Sequence, residues 1–560
     1  MDIKRGIIFI GLAVVSYLMI LAWNDDYGQV KPTNTVVEKN NATFQTPEFN
    51  APETSKVTTD EFSVPENNST AKIQTTPTSD NHKVISVKTD VLDILIDTQG
   101  GNIVQALLPT YKVALHSDEA MALLEYRAGR RYTMESGLYG KNGFDSAKNG
   151  AMPVFQSAKS KYELTANQDE LVVSLFFKSD NNIEVTKRYT FKRDEYLIGV
   201  EYIINNQSDM NWEGNLSGKI VRDNRPDPSQ QNSMGMQSFL GMVLSSPAEP
   251  YEKYAFDDLT EKPINQTING GWIAFIQHYF LTAWIPDSST EHVYQTKVKD
   301  NTYLMGFISP ATVVKPGETG SIKAQAYVGP KILDRLENAA PNLDLTVDYG
   351  FLFFIAYPLF LLLNFLHGFI GNWGFSIILV TIIVKGLFFH LSAASYRSMA
   401  SMRKVGPQLA RLKEQYGDDR QKMSQAMMEL YRKEKINPLG GCLPILVQMP
   451  VFIALYWVLL ESVQLRHAPF ALWITDLSVK DPYFLLPILM GVSMFIQMQL
   501  NPAPPDPIQA RVMKMMPIIF TVFFLWFPAG LVLYWLVNNI LSIAQQWVIT
   551  KQIENAPSKS

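Results

Sequence analysis

Cysteine is nearly missing from this chain. Cys442 is the only one in 560 residues, so no intrachain disulfide can form on either side of a membrane. Histidine offers no metal signature, because His82, His116, His278 and His292 are scattered without ligand spacing. Neither G-x-S-x-G nor H-E-x-x-H occurs, which leaves no nucleophile elbow or zincin helix. A net charge of −4 argues nothing about nucleic acid by itself, and local charge matters more; no direct DNA binding is expected. No internal repeat is visible either. What the chain has is apolar sequence, 47% of it, concentrated before residue 24 and after residue 350. That distribution describes a membrane protein carrying a large soluble insert.

Residues 1–23 hold Lys4 and Arg5, then an apolar run, with Asp25 and Asp26 beyond it. No small-x-small cleavage site follows, so an uncleaved transmembrane anchor with a cytoplasmic N-terminus is expected. Residues 24–83 are rich in Asn, Thr, Pro, Ser and Glu. They cannot bury enough surface to offset chain entropy and read as a disordered periplasmic tether. Over 84–335 the pattern turns to period-two alternation, as in IEVTKRYTFKR and YLIGVEYIIN. Turns are marked by Gly100-Gly101 and Ser179-Asp180-Asn181-Asn182. This is expected to be one antiparallel β-sandwich outside the cytoplasm.

Residues 336–371 are expected to form a linker and an amphipathic helix lying along the outer interface. Counting 351–370 as a span would put residues 392–440 outside, and they hold ten Lys/Arg against five Asp/Glu. The positive-inside rule wants that segment in the cytoplasm. The expected five-helix membrane core is 372–550, with spans at 372–391, 443–460, 484–500, 512–527 and 530–549 and a short tail over 551–560. With the anchor this gives six spans and both ends inside. Trp373, Trp457, Trp473, Trp526 and Trp547 fall near the predicted interfaces as an aromatic belt. Between the first two core spans, 395–436 reads as an αα-hairpin. Met399, Met402, Leu409, Leu412 and Tyr416 face Met423, Met427 and Leu430, Gly406-Pro407 breaks the first arm, Gly417 stops it, and Asp418 or Asp419 caps the second.

The span 372–391 carries Lys385 where a purely structural helix would carry leucine. A lysine inside a span costs ~2.5–3.5 kcal/mol, and such residues usually face a polar or wet interior. Snorkelling to the cytoplasmic interface is the alternative. Ser376, Thr381, Gln448, Gln497, Gln499, Thr521, Asn538, Asn539 and Ser542 supply polar groups to the spans, but no Asp or Glu sits at depth to pair with Lys385. A hydrated cavity meets that need.

NPLGGCLPILVQMPVFIALYWVL (437–459), PFALWITDLSVKDPYFLLPILMGVSMF (469–495) and FLWFPAGLVLYWLVNN (524–539) resemble the core of the YidC/Oxa/Alb insertases. The long insert resembles the Gram-negative arrangement, whose periplasmic domain is a β-supersandwich. The resemblance implies a non-enzymatic insertase and chaperone for nascent inner-membrane proteins, without cofactor. It would act alone or beside the Sec translocon through a hydrophilic groove closed toward the periplasm. Lys385 stands where the family normally has arginine, and Trp535 where a tyrosine is common. Lys385, Thr381, Gln448 and Trp535 are therefore the expected groove residues. Because the chain stops at KQIENAPSKS, with no long basic tail, ribosome and substrate capture is expected from the hairpin, through Arg403, Lys404, Arg411, Lys413, Met423 and Met427. Membrane lipids complete the expected partners. Two other readings stay open on the residues alone: a solute transporter or channel, and a membrane-anchored periplasmic carbohydrate-binding enzyme.

Overall fold

The computed structural model describes residues 83–554 except 128, 146–151, 228–237, 417–418, 435–442 and 502–506. The anchor, the tether up to residue 82, Gly417, Asp418, Cys442 and residues 555–560 of the tail lie outside the described residues. The chain divides into a β unit, ending at Thr346, and a helical unit from Val347 onward.

The β unit is two sheets, with 11 and nine strands among the described residues. In the smaller sheet, Leu197–Asn206 pairs with Ile183–Lys192 on one side and Thr319–Pro330 on the other, both antiparallel. Its alternation is the expected one: Ile198, Val200, Tyr202 and Ile204 are buried while the residues between them are half-exposed. Each such side chain contributes ~1.5–3 kcal/mol on leaving water. The larger sheet centres on Trp212–Asp223, flanked by Arg130–Tyr139 and Thr302–Ile308. Trp284 Nε1 donates to the Lys219 carbonyl at 3.1 Å, and the Tyr132 and Thr282 hydroxyls meet at 2.7 Å, so polar contacts join the two sheets. One correction applies: the pairing is not wholly antiparallel, because Val84–Lys88 runs parallel to Lys161–Glu163. Gly100, Gly101 and Asn182 adopt positive φ, as the expected turns require. Two short helices, α1 (Phe256–Glu261) and α2 (Leu333–Ala339), complete the unit.

Charge is also buried here. Lys187 is fully buried and donates to the carbonyls of Gly100 and Ser136 at 3.0 Å each. Burial pulls its ammonium down to about 7 against the opposing pull of Asp145 and Glu135. Glu135 pairs with Lys219 at 3.3 Å and with Arg131 at 3.2 Å. Burial alone would raise the Glu135 carboxyl, but these two cations outweigh it and hold it below its ordinary 4.5. A depressed carboxyl contributes stability that is present above 4.5 and is lost as pH falls through the folded value. Lys219→Met breaks a buried pair, so urea unfolding of the β unit, read by tryptophan fluorescence, is expected to show a loss of ~3 kcal/mol at neutral pH. That loss shrinks in acid as Glu135 protonates. An equal loss at both pH values would contradict the pairing.

The helical unit begins with α3 (Phe353–Ile370) and α4 (Trp373–Leu387). Gly371 ends α3 at φ 69°, its N–H donating to the His367 carbonyl at 2.7 Å. A left-handed residue there suits glycine. Asn372 then caps α4, its side chain accepting from Phe375 N at 3.1 Å. α3 buries Ala356, Leu359, Phe360 and Leu363 on one stripe, while Phe351, Phe354, Leu361, Phe365 and Phe369 around it are exposed. Gly350–Ile370 is long and apolar enough to cross a membrane by length and composition.

The helix expected over 372–391 is corrected by the structure. It stops at Leu387, and α5 (Phe389–Lys404) departs at 68°. Gly386 weakens the last turn, and the Phe388 N–H is shared between the carbonyls of Gly386 and Val384. Lys385 therefore sits in the final turn. After Val405, where the expected break falls, come α6 (Gly406–Tyr416) and α7 (Arg420–Lys433). Asp419 caps α7, accepting from Gln421 N and Lys422 N at 3.1 Å each. Met402, Leu409, Met427 and Leu430 pack around Val405 and Tyr431, whereas Met399 packs on Ala393, Tyr396 and Ile549. Met399 thus belongs to the helical core rather than to the hairpin. The remaining helices are α8 (Leu443–Glu461), α9 (Leu485–Leu500), α10 (Pro507–Phe524) and α11 (Ala529–Glu554).

Candidate functional site

A cavity of about 340 Å³ opens among α5 and α8–α11. α11 gives the lining Asn538, Asn539 and Ser542, and Gln448 of α8, Gln497 of α9 and Asn501 at the end of α9 add further polar groups. Asn538, Asn539, Ser542, Gln545 and Gln546 recur at three- and four-residue spacing, so they share one side of the helix. Asn539 donates to Ser493 Oγ on α9 at 3.1 Å, and Gln545 to the Phe389 carbonyl on α5 at 3.1 Å. Gln546 donates to the Leu500 carbonyl at 3.1 Å and to Asn501 Oδ1 at 3.0 Å.

Lys385 lies outside the lining and reaches it through Gln448 of α8. Its ammonium donates to Gln448 Oε1 at 3.3 Å, and Gln448 Nε2 donates in turn to Asn538 Oδ1. A cation, an amide and a second amide from three helices therefore form one chain. Among the described residues no carboxylate lies within ion-pair distance of Lys385, and its hydrogen-bond partner is neutral. The half-buried ammonium keeps donor capacity for an acidic visitor.

The other expected groove residues divide. Gln448 and Trp535 line the cavity. Trp535 packs edge-on against Phe452 at 4.4 Å between ring centroids, with Phe524 at 5.0 Å. Thr381 is buried, and its hydroxyl donates to the Ile377 carbonyl of its own helix at 2.6 Å, away from the lining. Of the hairpin residues, Arg403, Lys404 and Arg411 are exposed. Met423 is half-buried outside the Met427 cluster, and the Lys413 side chain lies outside the described residues. Asn538 is the site residue that sequence reasoning left in a general polar inventory. Its amide spacing with Ser542 was visible; its partner on α8 was not.

The chain on the far side of the core is tightly tied. Ala529 N donates to the Val479 carbonyl at 2.7 Å and Gly530 N to that of Leu477 at 3.0 Å, pinning the start of α11 to the loop over 462–484. Asn372 Nδ2 donates to the Phe470 carbonyl at 2.9 Å, and a Cβ at Gly374 would run into the Phe470 ring. Asp481, 1% exposed, accepts from Trp473 Nε1 at 3.0 Å, Tyr483 N at 3.0 Å and Leu486 N at 2.7 Å. One buried carboxylate thereby holds the loop and the first turn of α9 together.

Comparison with known proteins fits this division. Residues 84–362 match the family model described as the YidC periplasmic domain, and residues 365–556 the one described as the 60Kd inner membrane protein. The curated protein called membrane protein insertase YidC from Marinobacter nauticus is 58% identical over 99% of each chain. The proteins of that name from Hahella chejuensis and Pseudomonas fluorescens are 56% and 52% identical, the first over 99% of this chain and 98% of its own, the second over the whole of both. Among solved structures, a YidC insertase resolved with its first transmembrane domain aligns over 83% of this chain and 92% of its own at 18% identity. Its TM-score is 0.37, too low to carry an argument. With more than half of its residues shared over the full length of a curated relative, and both parts matched by that family's models, this chain belongs to the YidC family of membrane protein insertases.

Proposed function

We propose that this chain inserts nascent membrane proteins into the bacterial inner membrane by drawing a short acidic or polar segment into the cavity beside Lys385. The observation that carries the reading is the Lys385–Gln448–Asn538 chain, an ammonium held by one amide with no carboxylate within ion-pair distance among the described residues. The incoming segment supplies that missing charge. No covalent bond is made or broken, and no cofactor is used. Burial of ~20 apolar residues of the substrate in lipid drives the step.

Helix lengths favour the same route. α4 has 15 residues and α9 has 16, ~22–24 Å at 1.5 Å per residue against a hydrocarbon core of ~30 Å. The mismatch thins the bilayer locally and shortens the crossing. α10 exposes Val512, Met515, Ile518, Ile519, Val522 and Phe523, an apolar surface along which the substrate's apolar helix leaves for lipid. The membrane topology in this reading is six spans with both ends cytoplasmic. α3 lies along the outer interface and residues 84–335 face the periplasm. The exposed Arg403, Lys404 and Arg411 favour a ribosome-facing hairpin. Cooperation with the Sec translocon rests on family membership alone.

Site-directed crosslinking tests the route. Single cysteines replace Gln448, Trp535 and Leu477 in a Cys442→Ser background, and a stalled single-span substrate carries one cysteine in its leader. Disulfide formation at 448 and 535 at least about fivefold above that at 477 is expected, since effective concentration governs such intramolecular capture. Equal capture at all three would overturn the route.

A further inference from the structure

The cavity has a second set of lining groups whose chemistry is unlike the polar ones. Five of its 16 lining residues are methionine: Met399, Met449, Met494, Met498 and Met516. The whole chain has 22 methionines in 560 residues, so the lining holds far more than its share. The five come from α5, α8, α9 and α10, and α11 has none; amides reach the lining from α8 (Gln448), from α9 and its end (Gln497, Asn501) and from α11 (Asn538, Asn539). None is locked away. Met399, Met494, Met498 and Met516 are half-buried and Met449 is 42% exposed.

An unbranched thioether with three rotatable bonds fills irregular gaps and repacks at little cost. A leucine of similar volume has fewer conformers and presents a fixed shape. A site that must accept one substrate gains from fixed shapes; a site that must accept many gains from surfaces that refit. We infer that the methionine wall determines which inserting segments the cavity accepts, by refitting around apolar side chains of different size while the lining amides of α8, α9 and α11 hold polar groups. The occupant is the apolar span that follows the acidic segment assigned in the preceding section, so the inference rests on that reading. The substrate class it specifies is broad: spans rich in leucine, in β-branched residues or in bulky aromatics, without a preferred shape.

The test uses the full chain in liposomes and four single-span substrates. All share one acidic leader and differ only in the span, which is built from leucine alone or from leucine with valine, phenylalanine or tryptophan. The readout is the ratio of insertion of each mixed span to the all-leucine span, which does not depend on total activity. For the unaltered chain the ratios are expected within about threefold of one another. In the M449L/M494L/M498L/M516L variant the tryptophan and phenylalanine ratios are expected to fall at least about fivefold, a misfit of the size one rigid pocket exacts for a few heavy atoms. The pairs M449L/M498L and M494L/M516L keep the ratio measurable if the fourfold variant assembles poorly. Unchanged ratios in both pairs would overturn the inference. Lys385→Ala in the same assay separates the two readings: flat ratios with impaired Lys385→Ala defeat only the methionine wall, whereas a fully active Lys385→Ala defeats the groove itself.

Discussion

Replacing Lys385 by alanine is expected to lower insertion of an acidic-leader substrate about tenfold, and replacing it by glutamate to lower it further. The scale follows from Coulomb's law. At 4 Å two unit charges interact by ~1 kcal/mol in water and ~4 kcal/mol at an effective dielectric of 20, and 1.4 kcal/mol is tenfold. Alanine removes the attraction; glutamate converts it to repulsion. Lys385→Arg keeps the charge and is expected to insert within about twofold, because a point attraction does not need a planar fork. Losing the lysine has little structural cost in this account. Its ammonium makes one hydrogen bond, to Gln448, and Gln448 retains Asn538. Accumulation of the Ala variant in the membrane at the normal level is the accompanying check that insertion, and not folding, is being read.

The second large effect is on assembly. Asp481→Ala strips the acceptor from Trp473 Nε1 and from the N–H groups of Tyr483 and Leu486 in a site where Asp481 is 1% exposed. A buried donor left without a partner costs ~1–3 kcal/mol; Leu486 N, in the first turn of α9, is buried and the other two are partly so. A loss of ~3 kcal/mol or more is expected, seen as a several-fold fall in membrane level and rapid proteolysis within 462–484. Asp481→Asn, which keeps the shape and one oxygen, should fall between. Normal level and protease resistance for Asp481→Ala would show that Ala529, Gly530 and Asn372 hold the loop without it.

How much of this could be read in advance depends on the range of the interaction. Local rules served well. The alternation over 197–206, the turns at Gly100-Gly101 and Asn182, the break before Gly406 and the Asp419 cap all depend on residues within a few positions of one another. Long-range pairing did not show. Nothing local tells Leu197–Asn206 that its neighbour is Thr319–Pro330, or Val84–Lys88 that it will pair in parallel with Lys161–Glu163. The bend at Phe388 was hidden because no proline marks it, and Gly386 alone is a weak stop. The site was half legible. Lys385 stood out by its cost, and Gln448 and Trp535 do line the cavity. Thr381 looked equivalent, but a helical threonine can spend its hydroxyl on its own backbone, as this one does. Asn538 and the methionines acquire meaning only when four or five helices bring them to one space.

The most direct test of the account is a charge exchange in reconstituted liposomes. The unaltered chain and Lys385→Glu are each offered two substrates that differ only in whether the leader carries aspartates or lysines. A crossover is expected: the unaltered chain inserts the acidic leader better, and Lys385→Glu inserts the basic one better. If both forms rank the two leaders identically, charge at residue 385 does not select the segment, and the groove mechanism is wrong.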